Sequence, residues 1–116
     1  MLIPYATNTR KPTALEEYAV ISAAPCRFFS AVISSTNAGK IYAQLHDAAA
    51  QPTAGAVPLA FVEIDPTISG ATTASGYFDF GSGMKLVNGA VVALSSTAAS
   101  YTALGSNDAL IVASFS

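Results

Sequence analysis

Turn-forming residues interrupt this chain so often that no helix of three turns can be placed in it. Thr36-Asn37-Ala38-Gly39, the small-residue loop 47–58, Asp65-Pro66, the stretch 69–76, Gly81-Ser82-Gly83 and Asn88-Gly89 follow one another at short intervals. Gly and Asn accept positive φ and Pro removes a backbone donor, so each cluster breaks a helix and favours a reversal. Even alanine runs such as Ala48-Ala49-Ala50 meet Gly, Pro or Thr within a few residues. Between the breaks the residues alternate. In 40–46, Ile41, Ala43 and Leu45 fall on one side and Lys40, Tyr42, Gln44 and His46 on the other. That period of two is a half-buried strand with His46 on its polar, outward face.

The same reading predicts strands over 27–35, 40–46, 59–64, 77–81, 84–87, 90–95, 101–103 and 109–115, the last with Ile111, Ala113 and Phe115 on one face. About eight short strands at 8–12-residue spacing imply an all-β fold, a compact β-sandwich or jelly roll of antiparallel strands. The first two are expected to pair as a hairpin across residues 36–39. Asn88-Gly89, a strong hairpin signal, is expected to join 84–87 to 90–95. Phe28, Phe29, Phe61, Phe78, Phe80 and Phe115 lie in strands and read as core.

Residues 1–17 differ from the sandwich domain, 18–116. They hold Arg10, Lys11, Glu16 and Glu17 with Pro4 and Pro12, and no sustained periodicity. Proline biases such a stretch toward extended, irregular backbone. It reads as an N-terminal arm, either frayed or lying on a neighbouring subunit through Leu2, Ile3 and Tyr5. A short helix over 13–18 with Thr13 as cap and Glu16 closing a capping box is the third option.

Charge then says how such a fold lives. Lys, Arg, Asp and Glu make up 10% of 116 residues, against roughly 25% in ordinary soluble domains. A monomer of 11.8 kDa exposes about 5,900 Å², so twelve charges leave about one per 490 Å² where an average domain carries one per roughly 200 Å². Mean hydropathy is +0.46. Large uncovered apolar patches are uncommon on monomers and mark contact surfaces. The chain is therefore expected to associate. Tyrosines, with an apolar body and a polar tip, suit such contacts, and Tyr42 and Tyr101 join Leu2, Ile3, Tyr5, Arg10 and Lys11 as the candidate interface residues.

No chemistry is legible. Net charge is −2 and the five basic residues are dispersed, so no basic stripe for nucleic acid forms. No stretch approaches the roughly 20 apolar residues of a membrane helix. No basic flank followed by an apolar run marks a secretory signal, so use without export by such a signal is expected. His46-Asp47 is a poor triad fragment because adjacent strand residues face opposite ways. Glu63 and Asp65 share a strand face, and with Asp79 on a neighbouring strand they would be a calcium or glycosidase carboxylate set; solvated carboxylates at strand ends are the plainer reading. One His and one Cys cannot assemble a zinc site. Cys26 lacks an adjacent base and reads as a small buried hydrophobe. The expectation is no enzyme, catalytic residue, metal or cofactor.

Several segments form a recognisable series. Ile41-Tyr42-Ala43-Gln44-Leu45-His46-Asp47 is followed by the loop Gln51-Pro52-Thr53-Ala54-Gly55-Ala56-Val57-Pro58, then by Phe78-Asp79-Phe80-Gly81. Gly89-Ala90-Val91-Val92-Ala93-Leu94-Ser95-Ser96-Thr97 and Asp108-Ala109-Leu110-Ile111-Val112 complete it. From Arg27 onward, about 90 of 116 residues, the chain resembles small bacteriophage and prophage virion β-sandwich proteins of the capsid decoration or cement type. The resemblance implies a structural protein on the capsid surface, made in the host cytoplasm. It implies a homo-oligomer, often a trimer at local threefold positions, that clamps the major capsid protein and stabilises the shell. Asp47 would carry turn chemistry and no catalytic role. Two other readings keep the β fold: another virion part, such as a head-fibre base or tail adaptor, and a carbohydrate-binding host-recognition module. The latter would stack sugars on Tyr42, Tyr77 or Tyr101, since the chain has no Trp.

Overall fold

The structure, a computed structural model, describes residues 8–68 and 74–116. Among them run β1 (Asn8–Arg10), β2 (Tyr18–Ser22), β3 (Cys26–Ser35), β4 (Ile41–His46), β5 (Ala60–Ile64), β6 (Ala74–Leu86), β7 (Ala90–Ser95) and β8 (Ala109–Phe115), with a single 3-10 turn over Pro66–Ile68. Sheet I has the order β1-β8-β3-β6 and sheet II the order β2-β7-β4-β5, every neighbour antiparallel.

That order has a simple origin. β4–β5, β3–β6, β2–β7 and β1–β8 are the rungs of one long hairpin that turns back between β4 and β5. Rolled up, the hairpin sends its rungs alternately to the two sheets. The roll is held by the added pairings β3–β8 and β4–β7. Two four-stranded sheets wound this way are a jelly roll, which settles the choice within the expected all-β class.

Both expected hairpins are corrected by this topology. β3 and β4 lie in different sheets, as do β6 and β7. A turn signal specifies a reversal, not the edge that the next strand joins. Residues 36–39 carry the chain across the sandwich, where Asn37 donates its side-chain amide to the Asp108 carboxylate at 2.9 Å and the Thr36 N–H bonds the Asp108 carbonyl at 2.7 Å. At Asn88-Gly89 the Asp47 carboxylate accepts the Asn88 N–H at 2.9 Å. Gly89 has φ of 151°, and a Cβ there would meet the Ala48 carbonyl oxygen at 2.6 Å. Glycine is needed for that close approach.

β2 and β1 occupy sequence where no strand was expected, while 101–103 keeps only a bridge between Ser95 and Ala103. The predicted strands 77–81 and 84–87 merge into β6. Its register against β3 jumps from Ser30–Asp79 to Phe28–Met84, with Gly81 and Gly83 at φ of 59° and 100°. The extra residues make a bulge that only residues tolerant of positive φ allow. The opposing irregularity at Phe29 in β3 turns Phe28 back to the inside, where it packs edge-on to Phe78 and Phe80.

The core fills the space between the sheets: Phe28, Ala31 and Ile33 of β3 and Phe78 of β6 meet Ile41, Ala43 and Leu45 of β4, Ile64 of β5 and Val92 and Leu94 of β7. Small side chains opposite large ones let the layers interdigitate. Residues 1–7 of the expected arm lie outside the described residues. From Asn8 the chain runs along the free edge of β8, Thr9 against Ser114 and Arg10 against Ala113. The Glu16 and Ala109 amides then exchange hydrogen bonds at 2.7 and 3.2 Å. No helix forms over 13–18.

Candidate interaction surfaces

The two outer faces are treated differently by the chain. On sheet II the outward residues of β4 and β7, Gln44, His46, Val91, Ala93 and Ser95, are buried. The β4–β5 loop and the turn after β7 fold over them. Ala48, Ala56 and Tyr101 pack on Val91 and Ala93, while Gly55 and Tyr101 are tied by the bonds Gly55 N–H to Tyr101 C=O and Tyr101 N–H to Ala56 C=O, both 2.8 Å. Gln44 is the anchor. Its amide nitrogen donates to the carbonyls of Thr97, Ala98 and Ser100 at 2.8, 3.0 and 3.0 Å, and its oxygen faces His46 Nε2 at 2.8 Å.

This cover overturns two expectations. His46 was expected at the surface and is 4% exposed, lying edge-on to Tyr101 with ring centroids 5.8 Å apart. Burial pushes its pKa below the ordinary value, and because the Gln44 amide oxygen can only accept, Nε2 donates to it. Asp47 is turned away to the Val87 and Asn88 amides, leaving no carboxylate to orient the imidazole. Tyr101 was expected at an interface and is 3% exposed; the chain's own loops consume it, and its hydroxyl accepts from Gln51.

Among the described residues, no loop covers the outside of sheet I. Val32 of β3 stands between Val112 of β8 and Tyr77 of β6 in register, and all three are exposed, Val32 by 50% and Tyr77 by 70%. On one side of this apolar row lie Thr9, Ser114, Ser30 and Asp79; on the other lie Leu110, Ser34 and Ser75. Beyond the bulge the face ends in the pair Arg27–Lys85. The apolar row was missed in the sequence, although the alternation in 109–115 that put Ile111 and Ala113 inside also put Leu110 and Val112 outside.

A second apolar area sits beside the edge strand β5. Val57, Pro58, Leu59, Ala60, Phe61 and Ala99 line a groove of about 430 Å³. Phe61, expected in the core, is 49% exposed there, because its pairing with Gln44 puts it on the outward face at the sheet margin, beyond the reach of the covering loops. Tyr42 is half-buried, edge-on to Phe61 at 5.9 Å, with Lys40 6.0 Å from its ring and 3.5 Å from Glu63.

The remaining candidates separate. Leu2, Ile3 and Tyr5 lie outside the described residues. Arg10 is spent within the chain: its guanidinium grips both Glu16 carboxylate oxygens, at 2.5 and 2.8 Å, and the Ile111 carbonyl at 3.2 Å. Lys11 is exposed. Glu63 and Asp65 sit at the end of sheet II, where Asp65 caps Thr67, while Asp79 is on sheet I and caps Gly81. The three carboxylates are not brought together, and no group of three His, Cys, Asp or Glu able to hold a metal occurs among the described residues. Cys26 is partly buried against the core, and burial raises its pKa.

No protein-family model matches the chain, and no curated protein matches it. Among solved structures it is similar to the coat protein of Tobacco streak virus, at 13% identity over 94% of this chain and 83% of that one, with a TM-score of 0.47.

Proposed function

We propose that this chain is a structural, non-enzymatic virion protein, a capsid decoration or cement subunit that binds and stabilises a shell of major capsid protein. The observation that carries the reading is the asymmetry of the jelly roll: loops of the chain itself seal one outer face, while the other presents an uncharged apolar row. The motif resemblance over residues 27–116 supports the phage setting, with the capsid surface as the location and the host cytoplasm as the place of synthesis.

The surface supports the binding role. An exposed area of 6071 Å² shared by twelve charged side chains leaves about 500 Å² for each, against roughly 200 Å² on an average domain. Two ion pairs, Arg10–Glu16 and Lys40–Glu63, reduce the free charge further. Such a surface suits many weak contacts repeated over a shell, where multivalency raises avidity without one strong site. A homo-oligomer, a trimer by the resemblance, is the attaching unit. In this reading Leu2, Ile3 and Tyr5, with Lys11, are assigned to contacts with a neighbour, and Tyr42 with Phe61 to a lateral contact.

Co-sedimentation with empty capsids of the virus that encodes the chain tests the reading. Binding at a saturable ratio to shell subunits is expected; a chain that stays in the supernatant at all concentrations overturns it. Deleting residues 1–7 should weaken attachment and leave the fold intact.

A further inference from the structure

We infer that the outer face of sheet I packs against the same face of a second copy, about a two-fold axis that runs across the strands along the row Val112–Val32–Tyr77. The inference rests on the charge-poor, associating surface of the reading above; its two-fold contact is separate from the threefold one that the resemblance implies, since an isologous face cannot close a ring of three.

Size comes first. Seven residues each of β8 and β3, six of β6 up to its bulge and three of β1, at about 4.8 Å between strands and about 3.4 Å per residue, give a face on the order of 375 Å². Closing it on its copy removes roughly 850 Å² of accessible surface, the size of a weak, transient contact. The contact is sufficient for a dimer that dissociates in the micromolar range or weaker. Repetition on an assembly would strengthen it.

Charge selects the orientation. With the axis across the strands, Val32 meets Val32, Val112 meets Val112 and Tyr77 meets Tyr77 of the second copy. The Ser114–Ser30–Asp79 row lies over the Leu110–Ser34–Ser75 row, so Asp79 faces a serine. Arg27 and Asn37 are each five residues from Val32 in opposite directions along the chain, Arg27 within β3 and Asn37 just past its end. The Arg27–Lys85 pair of one copy therefore falls toward the Asn37–Asp108 end of the other. An axis along the strands would instead stack the Arg27–Lys85 pair on itself, placing like charges together. The self-complementary arrangement is the one that also centres the apolar row.

Three measurements test this. Sedimentation velocity over a concentration series should show a monomer–dimer equilibrium for the wild type, and Val32→Lys should raise the dissociation constant at least about tenfold, because two ammonium groups would then be buried face to face. Val32 is exposed in the single chain, so circular dichroism of the variant should be unchanged. Sheets packed on each other stand about 10 Å apart, beyond disulfide reach. A short bismaleimide should therefore link Val32→Cys to itself in a Cys26→Ala background. It should link Ser30→Cys only when mixed with Ser34→Cys. A wild type that stays monomeric into the millimolar range overturns the inference, as does an equilibrium unmoved by Val32→Lys or self-linkage of Ser30→Cys. If Val32→Lys abolishes capsid binding while self-association is unchanged, the occupant is the shell and the inference fails. If no dimer forms yet capsids still bind the wild type, the inference fails and the proposed function stands.

Discussion

Gln44 and His46, two residues apart on β4 and therefore on one face, share a 2.8 Å hydrogen bond beneath the turn that follows β7. The Gln44 amide nitrogen reaches three carbonyls of that turn. One fully buried side chain thus serves three backbone acceptors, with its two N–H groups shared among them, and one imidazole. This amide ties the turn after β7 to sheet II, beside the Ser96–Thr102 and Gly55–Tyr101 backbone bonds.

Replacing Gln44 by Ala removes a donor from three carbonyls and the acceptor of His46. Buried groups left unpaired cost about 1–3 kcal/mol each, less where a turn can relax to water. A loss of roughly 2–4 kcal/mol in urea unfolding is expected. An unchanged midpoint would show that the turn is held by other contacts.

Burial lowers the pKa of His46 below 6.5. An unfolded histidine takes up its proton near pH 6.5, so acidification favours the unfolded chain first. Stability is level above that pH and falls as pH drops from about 6.5 toward the folded value. Asp65, held low first by the Thr67 hydroxyl, and Asp108, held low by the Ser106 hydroxyl and then the Asn37 amide, act elsewhere. Their contribution is present above 3.8 and is lost as pH falls through their lowered values. Thermal melts between pH 8 and 5 should therefore slope downward for the wild type and lie flat for His46→Phe. Equal slopes would refute the assignment.

Gly89 combines positive φ with the Ser22 and Ala48 carbonyls against the place a Cβ would take. Gly89→Ala should cost about 2–4 kcal/mol, from backbone strain and the displacement of β2 or the β4–β5 loop. Gly55, also at positive φ but with nothing around it, should lose only about 1 kcal/mol on the same change. Denaturant titrations of the two variants give the comparison.

Arg10 clamps Glu16 from the margin of β8, and both side chains are about a quarter exposed. Solvent screening limits the pair to about 1 kcal/mol even in bidentate geometry. Arg10→Ala should thus barely move the global melting temperature. Amide exchange at Glu16 and Ala109, which bond each other, should speed up while β3 and β7 stay protected. Faster exchange throughout the molecule would mean that the clamp supports the whole roll.

Much of the architecture was legible locally. The alternation of Ile41, Ala43 and Leu45 placed these residues inside, and frequent breakers ruled out helices, because both signals live within a few residues of chain. Asn88-Gly89 and the 36–39 tetrad do end their strands, with bends between sheets in place of the expected hairpins. Their pairing was misread because a reversal is local whereas the sheet a strand joins is decided by distant partners. Phe61 and His46 failed for a related reason. Alternation says which side of a strand is outward, and it is silent on what lies over that side.

The sequence alone determined that the chain is all-β, poor in charge and without a legible catalytic constellation, since composition and short-range period suffice for these. The tertiary structure decided which outward face became interior. Loops 47–58 and 96–102 come to lie over sheet II from separate parts of the chain, burying His46, Gln44 and Tyr101, while no segment among the described residues crosses Val32, Val112 and Tyr77. Covering a face is a long-range event, set by where the rolled hairpin delivers its loops, and no local pattern records it.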